Sequence, residues 1–510
     1  MRDDVFDADI IVAGAGPSGL TVACEAALGG ARVTVLEKRD GPTWSRAGTL
    51  SPRVLELFAS RGIADKFLGR ALELHSDPYS REYIWGGLSP VHCEAMSTDY
   101  PYVLMLAQLE TERILGSHFK ELGGDLRLRH EVIDFEQDDH GVTVEFYDGD
   151  KIKRTLRARY LVGADGNKSK VRHAAGIAFQ GNPPSRVAVN VDAFTDYRPE
   201  QVLTVKSTSS GWAMTYPLRD GLVRFAMIDA ATCQSTSSGE LDLEEAKAML
   251  RRVHGTDYEI TKVDAINRFH DAMYLAERIR DRRVFLVGES SRVHYPASGV
   301  GMNFCIQDAF NLGWKLAAAA KGQAPDWLLD TFVTERLPEI KKLLNDVRRQ
   351  LAIQFNFDEE HMALKRFVEE SVLANPSLNR QICENLAGLS VKYPAPADSH
   401  RVVGTRFPNV PLTNVANESQ CAFDLLQKQG FALIDLKKGQ QLPSTTLGAR
   451  LTIASADVTE HHEFDDLASV FVRPDGYIAW ASDVPLDVSL PEDVVRAWLN
   501  ISGDVRVFNS

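Results

Sequence analysis

The sequence predicts an α/β protein: a Rossmann-like dinucleotide-binding domain, an antiparallel β-sheet domain and a separate C-terminal domain. Three observations predict it. Residues 9–19, DIIVAGAGPSG, run from an apolar strand through G-x-G-x-x-G into a helix. Residues 160–172, YLVGADGNKSKVR, repeat the pattern of apolar strand and glycine turn. Residues 284–303, VFLVGESSRVHYPASGVGMN, repeat it again and lead into a long helix-period segment.

In the first turn, Gly14 allows the tight bend, Gly16 lets backbone approach a pyrophosphate, and Gly19 lets helix pack on strand. A second strand over 31–36 ends in Glu37, placed to accept from an adenosine ribose hydroxyl, with Lys38 beside it. SPRVLELFASRGIADKFL reads as a helix, and so does 110–123. LRLRHEVIDFEQ and GVTVEFYDG alternate with period two and predict an antiparallel insertion. The middle turn offers Asp165 as a pyrophosphate contact or as a cap for the helix starting at Ser169. VAVNVDAF and GWAMTYPLRDGLVRFAMID predict a mostly antiparallel sheet with one helix, LDLEEAKAMLRRVHG. Trp212, Met214 and Tyr216 share one face of it, as core or as a flat wall for an aromatic ligand. The late turn carries Gly288 and Glu289 at a strand end. The helix from Gly301, Met302 and Asn303 presents free N–H groups and a partial positive charge to an anion. Residues 326–390 are helical, and YPAPADSHRVVGTR at 393–406 reads as a linker. The expected division is 1–180 and 282–395 for the dinucleotide domain and its helical region, 181–281 for the antiparallel sheet, and 400–510 for the last domain.

A chain of 510 residues is too long for one ordinary core. With 44% hydrophobic and 25% charged residues it reads as soluble and globular. The net charge of −13 argues against nucleic acid or an anionic membrane as partner. No apolar run reaches the ~18 residues of a membrane span. The acidic start, MRDDVFDADIIVAG, lacks the features of a secretory signal. Six cysteines form no C-x-x-C, which predicts reduced thiols, a cytoplasmic location and neither zinc site nor dithiol chemistry. Histidines do not cluster at metal-ligand spacing.

The loops at 14–19, 163–169 and 288–303 resemble the three fingerprints of class A flavoprotein monooxygenases, the aromatic hydroxylases with the p-hydroxybenzoate hydroxylase fold. Arg46 in SRAGTLSPRVLELF resembles the family's flavin-side arginine, and Gln108 in LAQLETERIL its flavin-contacting glutamine. GMNFCIQDAFNLGWKLA matches the family closely. RPDGYIAW at 473–480 is similar to the C-terminal domain of the aromatic polyketide and phenol hydroxylase branch, whose strand order resembles thioredoxin. Without C-x-x-C that domain is expected to be structural or dimer-forming, which leaves room for a homodimer.

The resemblance implies FAD, with NAD(P)H and O2 as co-substrates, and hydroxylation of a phenolic or polycyclic aromatic through a flavin C4a-hydroperoxide. A Baeyer–Villiger oxygenase and a non-oxygenating flavin- or ligand-binding protein are the alternatives. It assigns Gly14, Gly16, Gly19, Glu37, Lys38, Arg46, Gln108, Asp165, Gly288, Glu289, Gly301, Met302 and Asn303 to the cofactor. The substrate side takes Trp212, Met214, Tyr216, Arg224 and Pro296; Arg46, Tyr216 and His294 are catalytic candidates, and Arg224 is a further candidate base. Three positions depart from the family. Glu289 stands where it has Asp, so one extra methylene carries the carboxylate toward or past a ribityl hydroxyl. Arg292 stands where it has His, which predicts a charge facing phosphate, and Val300 where Gln is common.

Overall fold

The computed structural model describes residues 5–43, 47–197, 202–234, 241–413, 420–437, 450–486 and 491–500. Five parallel strands form the centre of the largest sheet. They lie in the order Val284–Leu286, Lys153–Gly163, Ala8–Ala13, Val33–Glu37 and Asp125–Leu128. The apolar runs of Ala8–Ala13, Val33–Glu37 and Val284–Leu286 suit a sheet buried on both faces, while Asp125–Leu128 at the edge is half-buried. The register pairs Ala13 with Gly163 and with Leu36, and Gly163 with Leu286. All three glycine turns therefore leave the sheet from one edge.

Two helices follow from this edge. Pro17–Leu28 begins right after the first turn, and Gly301–Ala320 after the third. They cross closely because glycines permit it. A Cβ at Gly313 would lie 2.4 Å from Glu25 Cβ, and one at Gly29 would lie 2.4 Å from Ala317 Cβ. Almost every residue of the second helix after its first turn is buried. Its largely apolar sequence is what a core helix requires.

The structure differs from the sequence reading in two local places. Leu126 and Leu128 do not join the antiparallel insertion; Asp125–Leu128 is the parallel edge strand beside Val33–Glu37. Arg129 at φ 58° turns the chain there, and only Glu131–Gln137 and Val142–Tyr147 form the antiparallel pair. The helix expected after Ser51 is two helices, Pro52–Ala59 and Ala64–Leu74, parted by Gly62 at φ 69°.

A second sheet of five antiparallel strands runs Thr204–Thr208, Gly211–Arg219, Leu222–Asp229, Val187–Phe194, Lys262–His270. The helix Leu243–Val253, closed at its start by an Asp242–Glu245 capping box, covers one face through Ala246, Leu250 and Val253. The opposite face, carrying Trp212, Ala226 and Ile228, joins the core of the dinucleotide unit.

The C-terminal sheet follows the order Leu412–Thr413, Leu451–Ala456, Phe431–Asp435, Ser469–Val472, Ile478–Ser482, with the middle pair parallel. One of its faces packs on Trp314 and Ala318 of the long helix. The RPDGYIAW segment turns inward. Arg473 bonds Glu335 and Asp475, Trp314 Nε1 donates to Asp475 at 3.2 Å, and Tyr477 stacks on Tyr393 at 4.0 Å. Lys315 Nζ reaches Glu335 at 2.6 Å. Burial alone would raise Glu335, but the Arg473 and Lys315 charges overcome it and hold the carboxyl at about 2. No helix among the described residues is long and apolar enough to cross a membrane.

Candidate active site

The first turn shows why each glycine is there. Gly14 sits at φ 102°, and a Cβ on it would strike the Ala164 carbonyl oxygen at 2.5 Å. A Cβ on Gly19 would lie 2.0 Å from the Gly14 oxygen. Gly16 is different: a Cβ there would meet nothing within 4 Å. The space above Gly16 is open, and no side chain caps the helix behind it. Free N–H groups, a helix dipole and room for a bulky anion coincide there.

Glu37 closes one end of the cradle. Its carboxylate accepts from Ala15 N at 2.7 Å and from Arg39 N and Nε at 2.9 Å. Burial would raise its pKa, but these donors hold it below the usual carboxylate range. Arg39 Nη2 also reaches Oε2, at 3.4 Å, and this longest contact is the one a ribose hydroxyl would displace. Lys38 is exposed beside it. Gln108 opens the helix Gln108–Glu121; its Nε2 donates to Glu112 at 2.8 Å, and its Oε1 accepts from Ala47 N at 3.4 Å. Arg39 and Glu112 are members of this cluster that sequence reasoning missed. The one sequence signal was that Arg39 lies two residues past the strand-end acid. Arg46 lies outside the described residues.

Asp165 takes one of the two roles expected of it, the helix cap. Its Oδ2 accepts from Lys170 N at 2.7 Å and Val171 N at 3.2 Å, which caps the short helix Lys170–Ala174. Its Oδ1 is buried with no hydrogen-bond partner. Burial raises its pKa despite the backbone donors.

At the third turn, Gly288 at φ 65° leaves no room for a Cβ, which would lie 2.6 Å from Ser18 Oγ. Ser290 Oγ donates to the Gly163 oxygen at 2.6 Å and ties this turn to the middle one. Glu289 is exposed on the cradle's rim. Arg292 corrects the sequence reading. It faces no phosphate site; it is 1% exposed and ion-paired with Asp308, which also holds Arg336 at 2.6 Å. The carboxylate from the long helix compensates the buried charge, so the guanidinium turns inward.

No side chain caps the helix at Gly301 either. Gly301 and Met302 are half-buried, so their end of the helix is accessible. The Asn303 side chain is engaged elsewhere: its Oδ1 accepts from Ser51 N at 2.7 Å, and its Nδ2 donates to Thr49 O at 3.2 Å. Only its backbone remains for a ligand. His294 packs beside Gly301, where a Cβ would lie 3.2 Å from its Cε1. Its Nδ1 faces the Tyr295 carbonyl at 2.7 Å and must donate, which leaves Nε2 as an acceptor. Burial and the Arg292 charge push His294 down to about 4, so it is neutral at physiological pH and a weak base. Pro296 is exposed next to it.

The antiparallel sheet supplies the opposite wall. Trp212 is core, 3% exposed, with Nε1 donating to Gly87 O at 2.8 Å. Met214 and Tyr216 are half-buried on the same face. The Tyr216 ring lies by Gly48, where a Cβ would come within 3.1 Å. Arg224, directly across from Tyr216, is clamped by Asp192 at 2.6 and 2.7 Å and donates through Nη1 to Tyr216 Oη at 3.2 Å. A paired guanidinium stays protonated, so Arg224 is a fixed cation and not a base.

The three turns, two uncapped helix ends, an open glycine and an unpaired buried carboxylate oxygen fit a dinucleotide. Comparisons with known proteins agree. Residues 7–347 match the family described as FAD binding domain, and residues 400–501 match aromatic-ring hydroxylase, C-terminal. The rifampicin monooxygenase of Streptomyces venezuelae is 35% identical over 486 residues, 93% of this chain and 96% of that protein. The solved anhydrotetracycline hydroxylase from Streptomyces rimosus superposes with a TM-score of 0.85 at 32% identity, covering 97% of this chain and 100% of that one. A ternary complex of aklavinone-11 hydroxylase with FAD and aklavinone superposes with a TM-score of 0.77 at 25% identity, covering 98% and 100%.

Proposed function

Because the chain belongs to the family of FAD-dependent aromatic-ring hydroxylases, we propose that it takes electrons from NAD(P)H and hydroxylates a phenolic or polycyclic aromatic. The observation that carries this reading is the pairing of an open dinucleotide cradle with a sheet wall bearing Met214, Tyr216 and Arg224. Bound FAD supplies the reducible ring and the activation of O2.

The protein's own groups do the rest. Gly16 and the helix behind it receive the pyrophosphate, and Glu37 the adenosine ribose. Asp165 Oδ1 offers a further acceptor in the cradle. The N–H groups at Gly301 and Met302 favour negative charge on whatever lies against them. Arg224 donates to the Tyr216 oxygen, which leaves the Tyr216 proton for a substrate oxygen. The cation behind it favours the phenolate, the electron-rich form of the ring. His294, neutral and an acceptor, holds a hydrogen bond without bringing a charge into the site. Pro296 and Met214 add apolar surface that excludes water.

Reductant oxidation measured with and without aromatic ligands tests this reading. The expected result is NADH or NADPH consumption that rises with the aromatic and one oxygen atom from labelled O2 in a hydroxylated ring. A ring-expanded lactone instead identifies Baeyer–Villiger chemistry. Consumption indifferent to every aromatic, with no oxygen transferred, overturns the proposal.

A further inference from the structure

Asn190 and Asn267 face each other across adjacent strands of the antiparallel sheet. The fold uses neither side chain. Asn190 Oδ1 and Asn267 Nδ2 are buried with no hydrogen-bond partner. An unpaired buried amide atom is unfavourable, so a ligand that completes both would be favoured there.

Their position says which ligand. Met214, Ala226, Asn190 and Asn267 form one row across four strands, on the face turned to the dinucleotide unit. The row on one side closes against that unit, with Trp212 bonded to Gly87 and Phe269 stacked on Tyr295 at 5.6 Å. The row on the other side meets it where Tyr216 abuts Gly48. Successive rows on one face are about 7 Å apart, so the closing rows stand about 14 Å apart with the amides midway. That span accommodates a fused aromatic. Both asparagines are half-buried, but Oδ1 and Nδ2 themselves are not exposed, so the amides must turn for a ligand to reach them.

We propose that Asn190 and Asn267 together bind one phenolic hydroxyl of the substrate. Asn190 Oδ1 accepts from it, and Asn267 Nδ2 donates to its oxygen. Because both amides are neutral, they hold this hydroxyl un-ionised, while the Tyr216–Arg224 end takes the oxygen that becomes phenolate. The substrate is fixed at two points and must carry a second hydroxyl away from the reacting one. The inference rests on the reading that this sheet face is the substrate wall. A site built to bond a hydroxyl rejects an analogue that cannot donate.

The test compares naphthalene-2,6-diol with 6-methoxy-2-naphthol, which keeps a hydroxyl for the Tyr216–Arg224 end but cannot donate from its other oxygen. Binding to the FAD-loaded protein is read from perturbation of the flavin absorbance, without turnover. Wild type should prefer the diol by about tenfold. The Asn190→Leu, Asn267→Leu double variant should lose that preference while keeping its affinity for the methoxy compound, with a melting midpoint unchanged or raised. Asn267→Ser, which keeps a donor, should retain part of the preference. No preference in wild type, or an undiminished preference in the double variant, overturns the proposal. So does a loss of both ligands alike, which marks a merely structural role. A protein that binds the diol through this pair yet does not couple it to reductant oxidation supports the inference and fails the hydroxylase reading.

Discussion

The protein buries polar groups in two regions, and it treats them in opposite ways. At the junction with the C-terminal domain the charged groups are matched to one another: Arg473 with Glu335 and Asp475, Lys315 with Glu335, and Arg61 with Glu25 at 2.9 Å, while the neutral Gln307 amide beside them has no partner among the described residues. Backbone oxygens complete the set, since Arg61 also donates to Leu426 O at 2.7 Å and Pro474 O at 2.9 Å. In the cradle and on the sheet wall, polar groups are left over: Asp165 Oδ1, two helix ends without side-chain caps, and the Asn190–Asn267 amides. Matched buried charge holds a domain in place, whereas unmatched polarity that borders an open cradle is available to a ligand.

The largest effect is expected where matching is broken. Glu335→Gln leaves Lys315 buried with a neutral partner and Arg473 with Asp475 alone, and about 3–5 kcal/mol of stability should be lost. Thermal melting should show it, with flavin stoichiometry unchanged at low temperature. Loss of flavin before loss of structure would erase the distinction between the two regions.

Next come two glycines of one turn that should behave differently. Gly14→Ala puts a Cβ against Ala164 O at φ 102° and should cost about 1–3 kcal/mol even without flavin. Gly16→Ala meets only open space in the ligand-free fold and should change its stability by under about 0.5 kcal/mol while weakening FAD strongly. Melting of the apoprotein and FAD titration separate the two. Equal destabilisation by both would show that Gly16 is structural.

Acid should unfold the two regions in different pH windows. His294 titrates at about 4 in the fold against 6.5 when unfolded. The unfolded chain takes that proton first, so stability should fall as pH drops from 6.5 toward 4. Glu335 titrates at about 2 against 4.5, so its contribution is intact above 4.5 and disappears from there toward 2. His294→Gln should shrink the upper step without abolishing it, because burial also holds His254 at about 4. Urea midpoints across pH would show it, and a flat profile from 7 to 4 would contradict it.

The smallest effect concerns the rim. Glu289→Asp shortens the exposed acid by one methylene and should tighten FAD a few-fold, about 1 kcal/mol or less. Unchanged or weaker affinity would show that the longer acid is no compromise.

Much of the fold was legible because glycine and apolar runs constrain backbone locally. Gly14, Gly163 and Gly288 each end a run of buried strand, and the register brings them to one edge. The partners of single side chains were not legible, because they come from distant segments. Arg292 could not be read as Asp308's partner from a separation of 16 residues, nor Arg224 as clamped by Asp192 at a separation of 32. The inward turn of RPDGYIAW was hidden for the same reason, since Glu335 lies 138 residues from Arg473. Cys93 and Cys383 show no sequence pattern, yet their sulfurs lie 3.9 Å apart across 290 residues.

The most direct test is the structure of the protein soaked with FAD. The account predicts the pyrophosphate over Gly16, the adenosine at Glu37, and the ring system between the Gly301–Met302 helix end and the wall of Met214, Tyr216 and Arg224. Flavin bound elsewhere, or side chains filling that cleft when flavin is supplied, would contradict it.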